Sequence, residues 1–464
     1  MTDSLETRPA GVNQDRCREK GSSGLVLTAA LLGFVMISLD ATAVNVALPA
    51  IGRSFGVATS GLQWVVDGYT VPFAALLISA GAVSDRLGAR RVLGGGLVVF
   101  AAASAACGLA PGLAVLVAAR MVQGGAAAVM LPSSLALVRQ AYADPAERAR
   151  AVAVWSAGAA GAIAAGPVLG GVLTSLVGWR VIFFVNLPVA AVALAVLVLR
   201  APRSPRLAAP LDPAGQVTAV LGLGALTFGV IAGGAGGFAR PSVLAALVVA
   251  VLAAGCFAVA ESRVARPMVP LALLRSPGVV TCVVTGFSIN VAFYGVAFVL
   301  SLYFQRVLGE PAITAGLLFL PMTALLTVAN LVSARVAARY GHHVPVRYGL
   351  VVATLGMLLL AFMRGRTGLE IALVPAGTGF GFALPSLTFL LLDSLPAAQA
   401  GLAGGLFQAG RQTGGALAVA TFGALVSGSS FLAGLRDSML ISVALLLVST
   451  VAVFAVFRGR QAAS

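Results

Sequence analysis

The sequence predicts an all-α polytopic membrane protein, and three observations support this fold class. Hydrophobic residues make up 59% of the 464 residues, charged residues make up only 10%, and the mean hydropathy is +1.01. A soluble globular chain has about 25% charged residues. The apolar residues also form continuous runs of about 20, the length of a helix that crosses a bilayer. These observations exclude a soluble enzyme, a disordered chain and a transmembrane β-barrel, whose strands alternate apolar and polar residues.

Fourteen apolar runs of membrane length follow a polar N-terminal segment. They lie at about 25–48, 62–83, 92–110, 113–137, 150–174, 181–199, 214–234, 241–260, 279–303, 312–334, 346–363, 370–392, 403–427 and 438–457. We interpret residues 1–24 as a disordered cytoplasmic tail. The runs divide into an N-terminal six-helix bundle (25–200), two additional helices with flanking cytoplasmic loops (201–278) and a C-terminal six-helix bundle (279–457), before a cytoplasmic tail (458–464).

A weak internal repeat supports this division. The second run closes with Arg86 two residues before Gly88, and the tenth run closes with Arg339 two residues before Gly341. The two glycines are 253 residues apart. Repeats related by an axis along the membrane normal build many secondary transporters, which bind substrate at the interface between the repeats.

The positive charge of the chain predicts its orientation. A net charge of +15 would suggest a nucleic-acid partner in a soluble protein. Here the basic residues are scattered through short loops, so no nucleic-acid partner is expected. With the N-terminus inside, 21 of the 30 basic residues fall on the cytoplasmic side and seven on the outer side. This bias predicts an even number of spans with both termini in the cytoplasm.

The remaining two basic residues, Arg120 and Arg411, lie inside apolar runs, as does Asp40 in the first run. Asp40 and Arg120 are both expected about 12 Å below the outer face, at a rise of 1.5 Å per residue. Their matching depth predicts an ion pair. Because a charge inside a membrane helix is costly, this pair is a functional candidate, which we assign to proton coupling. The alternative is a static structural ion pair.

Three further polar residues are candidates for the substrate cavity. Gln123 lies one turn after Arg120 on the same helix face. Asp67 is expected near the outer mouth, either attracting cations or simply solvated. Arg411 lies in the inner half of the thirteenth run, where Asp393 could pair with it as part of an inner gate.

Chemistry based on a metal, a cofactor or a nucleotide is not expected. The four cysteines share no close spacing, and the only two histidines, His342 and His343, are adjacent, which suits chelation poorly. No Gly-x-x-x-x-Gly-Lys-Ser/Thr loop is present, so the chain is not expected to hydrolyse ATP. No catalytic triad is evident, and we expect neither an enzyme nor a cofactor.

The fifth run contains a motif of small residues and proline. Gly166, Pro167, Gly170 and Gly171 interrupt it near its outer end. Proline removes one backbone hydrogen bond, and glycine lets a neighbouring helix approach closely. By itself this signal is common in membrane helices.

Several motifs in this order resemble the major facilitator superfamily, specifically its fourteen-helix EmrB/QacA-type drug:proton antiporters. The motifs are Leu39-Asp40-x-Thr42-x-Val-Asn45-Val-Ala-Leu-Pro49, Gln63-Trp64-Val-Val-Asp67-Gly-Tyr69, Gly81 to Arg91, Arg120-Met-Val-Gln123-Gly124, Gly166-Pro167 with Gly170-Gly171, Gly178-Trp179-Arg180, Phe183-Phe184-x-Asn186-x-Pro188 and Arg411-Gln412-x-Gly414-Gly415-Ala416. The fifth-run motif resembles the antiporter motif of exporters, although Ala162 stands where the fuller motif has glycine.

This resemblance implies the major facilitator fold, with two six-helix bundles plus two additional helices. It also implies that Gly81, Asp85, Arg86, Gly88 and Arg90 belong to a loop motif that latches the two halves together in the outward-open state. Asp85 would then face the amino end of a helix in the other half, where the helix dipole favours an anion. Arg86 and Arg90 would pair with cytoplasmic carboxylates.

The expected function is proton-coupled efflux of hydrophobic, cationic or neutral drugs or antibiotics by alternating access. The expected partners are a small drug-like substrate, protons and the lipid bilayer, with the chain acting as a monomer in the bacterial cytoplasmic membrane. The alternatives are a dedicated exporter of one self-made metabolite and an importer of a small solute. Substrate identity is not readable from the sequence.

Overall fold

The computed structural model describes residues 11–201, 204, 206, 212–264, 273–395, 400–428 and 430–457, with backbone only at 11–22, 400 and 401. Throughout these residues the chain is helical apart from short connections, and they contain no β-strand. The all-α fold class is confirmed. The predicted tail 458–464 lies outside the described residues.

Sixteen α-helices form fourteen spans in the described part of the chain, because the sixth and tenth spans each consist of two helices. The helices are α1 (Gly11–Phe55), α2 (Thr59–Leu87), α3 (Ala89–Gly108), α4 (Leu113–Ala141), α5 (Pro145–Leu176), α6 (Val181–Phe184), α7 (Asn186–Arg200), α8 (Pro213–Gly236), α9 (Pro241–Arg263), α10 (Pro277–Leu302, continued by a π-helical turn at Tyr303–Val307), α11 (Ala312–Leu317), α12 (Leu320–Tyr340), α13 (His343–Phe362), α14 (Gly365–Leu392), α15 (Ala400–Val426) and α16 (Phe431–Val456).

Thirteen of these spans are both long enough and apolar enough to cross a membrane. The other, α15, has 27 residues, which is sufficient length, but it carries Gln408, Arg411 and Gln412 near its middle. Its lower hydropathy therefore reflects a polar face and not a shorter helix. The predicted set of fourteen spans agrees with these helices.

Glycines and a capping residue mark the ends of several helices. Gly88 after α2 and Gly341 after α12 have φ values of +90° and +83°, a backbone conformation that favours glycine. These are the two glycines of the internal repeat, which therefore marks equivalent helix ends. At the start of α5 the Asp144 carboxylate accepts a hydrogen bond from the Glu147 amide (2.8 Å), with Pro145 in the first turn.

The first helix begins earlier than expected. The sequence predicted a disordered tail to residue 24, but residues 11–24 are helical and continue directly into the first span. No proline interrupts the chain between Pro9 and Pro49, so the helix extends upstream of the apolar run.

The helices form two packed groups joined by a helix pair. Helices α1 to α7 pack against each other, as do α10 to α16. The additional helices α8 and α9 pack together, and α8 also contacts both α2 and α15. Trp64 on α2 lies against Phe228 on α8, with ring centroids 6.2 Å apart. Helix α8 thus lies along one side of the boundary between the two groups.

The two halves meet at the ends of their helices that the predicted topology places outside. Hydrogen bonds across this boundary run from Gln63 to the Val419 and Ala420 carbonyls (3.1 and 2.7 Å), from Ser301 to the Asn45 carbonyl (2.6 Å), from Gln305 to the Val46 carbonyl (2.8 Å), from Arg306 to Thr59 (3.0 Å) and from the Ile313 amide to Ser175 (3.0 Å). At the opposite ends, Asp85 and Arg86 are exposed. The structure is therefore closed at the predicted outer end.

Replacing Gly377 by leucine should destabilise the C-terminal half. A Cβ atom on Gly377 of α14 would overlap the backbone of Met322 on α12, which cannot move away without shifting the helix. Overpacking of this kind costs about 1–3 kcal/mol or more. We expect a lower thermal unfolding midpoint for purified Gly377→Leu.

The matched control is Gly255→Leu on the exposed face of α9, where a Cβ atom would meet nothing within 4 Å. Its unfolding midpoint should stay near that of the original chain. Equal midpoints for the two variants would contradict the close α12–α14 contact.

Candidate functional site

A buried ion pair joins the first and fourth spans. Asp40 on α1 and Arg120 on α4 are each 1% exposed, and Arg120 Nη1 donates to Asp40 Oδ2. The sequence predicted this contact from matching depth. Two charges this deep in a helical bundle need each other, because an unpaired charge in a low-dielectric interior costs several kcal/mol.

Neutral polar side chains complete the coordination of the Asp40 carboxylate. Its Oδ1 atom accepts hydrogen bonds from Gln123 Nε2 and from Asn186 Nδ2, both at 3.1 Å. Both amides also donate to Ser104 Oγ, at 3.3 and 3.0 Å. Helices α1, α3, α4 and α7 thus converge on one carboxylate. Two amide N–H groups and one guanidinium thus donate to the Asp40 carboxylate.

The Arg120 guanidinium is held on all sides. Nε donates to the Val65 carbonyl (3.1 Å), and Nη1 also donates to Gln123 Oε1 (2.9 Å). The guanidinium carbon lies 4.3 Å from the Tyr69 ring centroid, a cation–π distance. Gly124, one turn later, has no side chain where the Tyr69 carbonyl of α2 approaches. Glycine at this position therefore brings α2 and α4 close enough to hold Arg120.

Sequence reasoning missed Ser104 and Asn186 as members of this site. Asn186 belongs to one of the family motifs given above, but that motif did not predict a function for it. Ser104 is a single hydroxyl residue in the third span. The sequence signal for each was a polar residue within an otherwise apolar run. Nothing local indicated that both would face Asp40.

Asp67 differs from its expected environment. It is fully buried, and its Oδ1 atom accepts a hydrogen bond from Thr70 (3.0 Å). Its Oδ2 atom has no partner among the described residues. Gln63, one turn earlier on α2, contacts α15 in the other half. The solvated alternative is wrong for this structure, because closure of the outer end covers this part of α2.

Arg411 pairs with neutral groups and not with Asp393. Its Nε donates to Asn290 Oδ1 (3.1 Å) on α10, and Nη1 donates to Gln408 Oε1 (2.7 Å) on its own helix. Asp393 is exposed beyond the end of α14, and no ion pair joins it to Arg411 in the described part of the chain. The predicted pair is wrong here, since Arg411 turns inward towards α10.

The glycine motif of α5 lies where helices are closest. Gly166 and Gly170 face Thr42 and the Ala43 carbonyl on α1, while Gly171 faces the Ala312 carbonyl in the other half. The Pro167 carbonyl in turn approaches Gly316 on α11. The motif therefore packs α5 against its own half and across the boundary between halves.

The loop motif after α2 does not make its expected contacts. Arg90 Nη2 donates to the Val198 carbonyl (2.8 Å), and the Arg90 amide donates to Ser204 (3.2 Å). Asp85 and Arg86 are exposed, and a Cβ atom on Gly81 would meet nothing within 4 Å. The expected docking of Asp85 on a helix of the other half is absent from the described residues, because the halves meet at the opposite end.

Two helical bundles, a buried charge pair and a boundary closed at one end define a polytopic helical membrane transporter. The chain belongs to the Major Facilitator Superfamily, whose sequence profile matches residues 30–419. It is therefore a multi-pass membrane protein of a transporter family.

Curated relatives and solved structures agree with this assignment. The chain is 37% identical over 429 residues to the methylenomycin A resistance protein of Streptomyces coelicolor, covering 91% of this chain and 88% of the relative. It is 36% identical over 406 residues to the multidrug resistance protein Stp of Mycobacterium tuberculosis, covering 87% and 76%. A bacterial homologue of the human lysosomal transporter Spinster, solved in an inward-facing and occupied conformation, superposes with a TM-score of 0.66 at 16% identity, covering 93% and 96%. The last likeness concerns the fold alone.

Replacing Arg120 by glutamine should destabilise the protein more than replacing both members of the pair. The single variant leaves the Asp40 carboxylate buried without its cation, a loss worth about 3–5 kcal/mol in other buried pairs. The double variant Asp40→Asn with Arg120→Gln removes both charges. We expect a lower unfolding midpoint for Arg120→Gln and recovery of most of that loss in the double variant. A double variant as unstable as the single one would show that the pair is not coupled in this way.

Proposed function

We propose that this protein exports hydrophobic, cationic or neutral drugs or antibiotics from the cytoplasm in exchange for protons, as an EmrB/QacA-type antiporter. The observation that carries the proposal is the buried carboxylate Asp40, held by one guanidinium and two amides. Support also comes from the relatives, which are named as antibiotic and multidrug resistance proteins. The number of spans, fourteen in the described part of the chain, is the number expected for EmrB/QacA-type antiporters.

Proton coupling follows from the chemistry of this carboxylate. In the observed arrangement Arg120 and the two amides occupy both oxygens of the Asp40 carboxylate, and a change in that arrangement would open the carboxylate to a proton. Protonation would leave Arg120 with neutral acceptors alone, the Val65 carbonyl and Gln123. A membrane potential contributes about 2.3 kcal/mol per charge per 100 mV, and one pH unit about 1.4 kcal/mol. One proton therefore supports a several-hundred-fold gradient of a neutral substrate.

The substrate path runs between the halves. We assign Gln123 in the N-terminal half and Arg411, with Asn290 and Gln408, in the C-terminal half to the polar lining of this path. Asp67 lies beneath the contact between α2 and α15. Separation of those helices would uncover it, so we assign Asp67 to the outer part of the path, where a carboxylate attracts cationic substrates and protons.

Alternating access would reverse the closure seen at the outer end. The glycine motif of α5 supports that closure through Gly171, and the loop motif containing Asp85 is free to form its contacts when the cytoplasmic ends meet. We place the protein in the cytoplasmic membrane as a monomer with both termini inside, as the arginine distribution favours.

Replacing Asp40 by asparagine should abolish coupled export while the protein stays folded. Asparagine keeps the size of the side chain but cannot carry a proton at neutral pH. In inside-out vesicles, lipophilic cationic dyes and antibiotics should release protons from the acidified lumen with the original chain and not with Asp40→Asn. Full retention of substrate-induced proton release by a correctly inserted Asp40→Asn would falsify this assignment.

The same assay distinguishes the breadth of the substrate range. A response to many unrelated lipophilic compounds supports multidrug export, and a response to one antibiotic class supports a dedicated exporter. Release of a preloaded solute from the lumen together with protons, and none of these responses, would indicate import.

Replacing Gly171 by valine should block transport without unfolding the protein. The added side chain would collide with the Ala312 carbonyl in the other half and hold the outer end apart. Gly161→Val on the same helix is the matched control, since a Cβ atom there meets nothing within 4 Å. We expect dye efflux from cells to fall at least tenfold for Gly171→Val and to stay within twofold for Gly161→Val. Equal efflux by both variants, at equal expression, would contradict the proposed closure.

A further inference from the structure

A cluster of basic side chains lies outside the site described above, at the start of α13. It comprises His342, His343 and Arg347, and it faces α14 and α16 through Phe389 and Phe454. We call these three residues the α13 basic cluster. The proposed transport mechanism does not use it.

Arg347 is buried, and no carboxylate among the described residues forms an ion pair with it. It is 8% exposed, and its guanidinium carbon lies 4.9 Å from the Phe454 ring centroid. Its Nε and Nη2 atoms are buried and have no acceptor within the described residues. Arg120 and Arg411, in contrast, each have side-chain oxygens as acceptors. A buried guanidinium with unused donors is costly unless an anion binds it.

Two histidines with buried, unpartnered ring nitrogens lie beside Arg347 along the chain. His343 precedes Arg347 by one helical turn, and its Nε2 atom is buried without a partner in the described part of the chain. The His342 ring stacks on Phe389 with centroids 4.9 Å apart, which leaves its Nδ1 atom buried and unpartnered as well. No carboxylate of the described residues balances this cluster.

The surroundings of the cluster are apolar and face outward from the bundle. Tyr348, the next residue after Arg347, is 63% exposed, and Val451 on α16 is 68% exposed. Phe389 is also exposed. The predicted topology places the start of α13 at the cytoplasmic face of the membrane. A phospholipid is complementary to this arrangement. Its phosphate would accept hydrogen bonds from the buried donors, and its acyl chains would lie along the exposed apolar side chains.

We propose that the boundary between α13 and α16 binds the phosphodiester of an anionic phospholipid, held chiefly by Arg347 of the α13 basic cluster. Arg347 donates from Nε and Nη2 in the forked geometry that suits phosphate oxygens. His343, one helical turn earlier on the same face of α13, offers a further unpartnered ring nitrogen near Arg347. Basic pockets between membrane helices on the cytoplasmic side commonly bind lipid headgroups in this way.

The test measures lipid binding to the purified, delipidated full chain by native mass spectrometry. Phosphatidylglycerol and phosphatidylcholine with identical acyl chains are titrated separately, and inorganic phosphate is added in a third series. We expect the original chain to bind phosphatidylglycerol at least tenfold more tightly than phosphatidylcholine. The thermal unfolding midpoint is measured in parallel. Millimolar inorganic phosphate should raise this midpoint much less than phosphatidylglycerol does.

The variant Arg347→Gln should bind phosphatidylglycerol and phosphatidylcholine about equally. The variant Arg347→Lys should show an intermediate preference for phosphatidylglycerol, because lysine lacks the forked pair of N–H donors of arginine. The matched control is Arg339→Gln, which removes the same charge from an exposed position at the end of α12. It should keep the tenfold preference.

Three results would overturn the proposal. One is equal binding of both lipids by the original chain, a measurement that needs no variant to fold. Another is an unchanged preference in folded Arg347→Gln or Arg347→Lys. The third is stabilisation by inorganic phosphate equal to that by phosphatidylglycerol, which would assign the cluster to a soluble anion.

Discussion

The burial of one carboxylate among membrane helices is the constraint on which the N-terminal half depends. The Asp40 carboxylate pairs there with Arg120, and Arg120 is held in turn by the Val65 carbonyl and the Tyr69 ring. These groups come from three helices, so their positions fix how α1, α2 and α4 pack. The glycine at position 124 is a consequence, since any side chain there would push α2 away.

The contact between the halves depends on a different property, namely glycine residues whose lack of a side chain lets backbones approach closely. Gly171 faces a backbone carbonyl of the opposite half, and Gly316 does the same in the other direction. Hydrogen bonds at this boundary also end largely on backbone carbonyls, such as those accepted by Val46 and Val419. Contacts without charged pairs need little desolvation when they break and re-form. A boundary of this kind suits a protein whose halves must separate in every cycle.

The spans and the central ion pair could be predicted because each depends on a local or one-dimensional property. Hydropathy defines a span, and counting residues from its end gives the depth of Asp40 and Arg120. The environment of Asp67 could not be predicted in this way, because it depends on whether α15 covers α2 in the state observed. Arg411 was misassigned to Asp393 for the same reason: its rotation towards Asn290 is a matter of tertiary packing. Asp85 likewise meets no partner from the other half among the described residues, because the halves are in contact at the opposite ends of their helices.

The unequal distribution of charge between the halves bears on the coupling mechanism. The N-terminal half holds an acid with its base, whereas Arg411 in the C-terminal half is held by the neutral oxygens of Asn290 and Gln408. A proton that enters the first network changes its net charge, and a proton cannot do the same at Arg411, which stays protonated in proteins. The proposed mechanism therefore gives the two halves different tasks despite their related folds. In that proposal the N-terminal half would carry the proton-dependent switch, and Arg411 in the C-terminal half would present a constant positive charge to the substrate path.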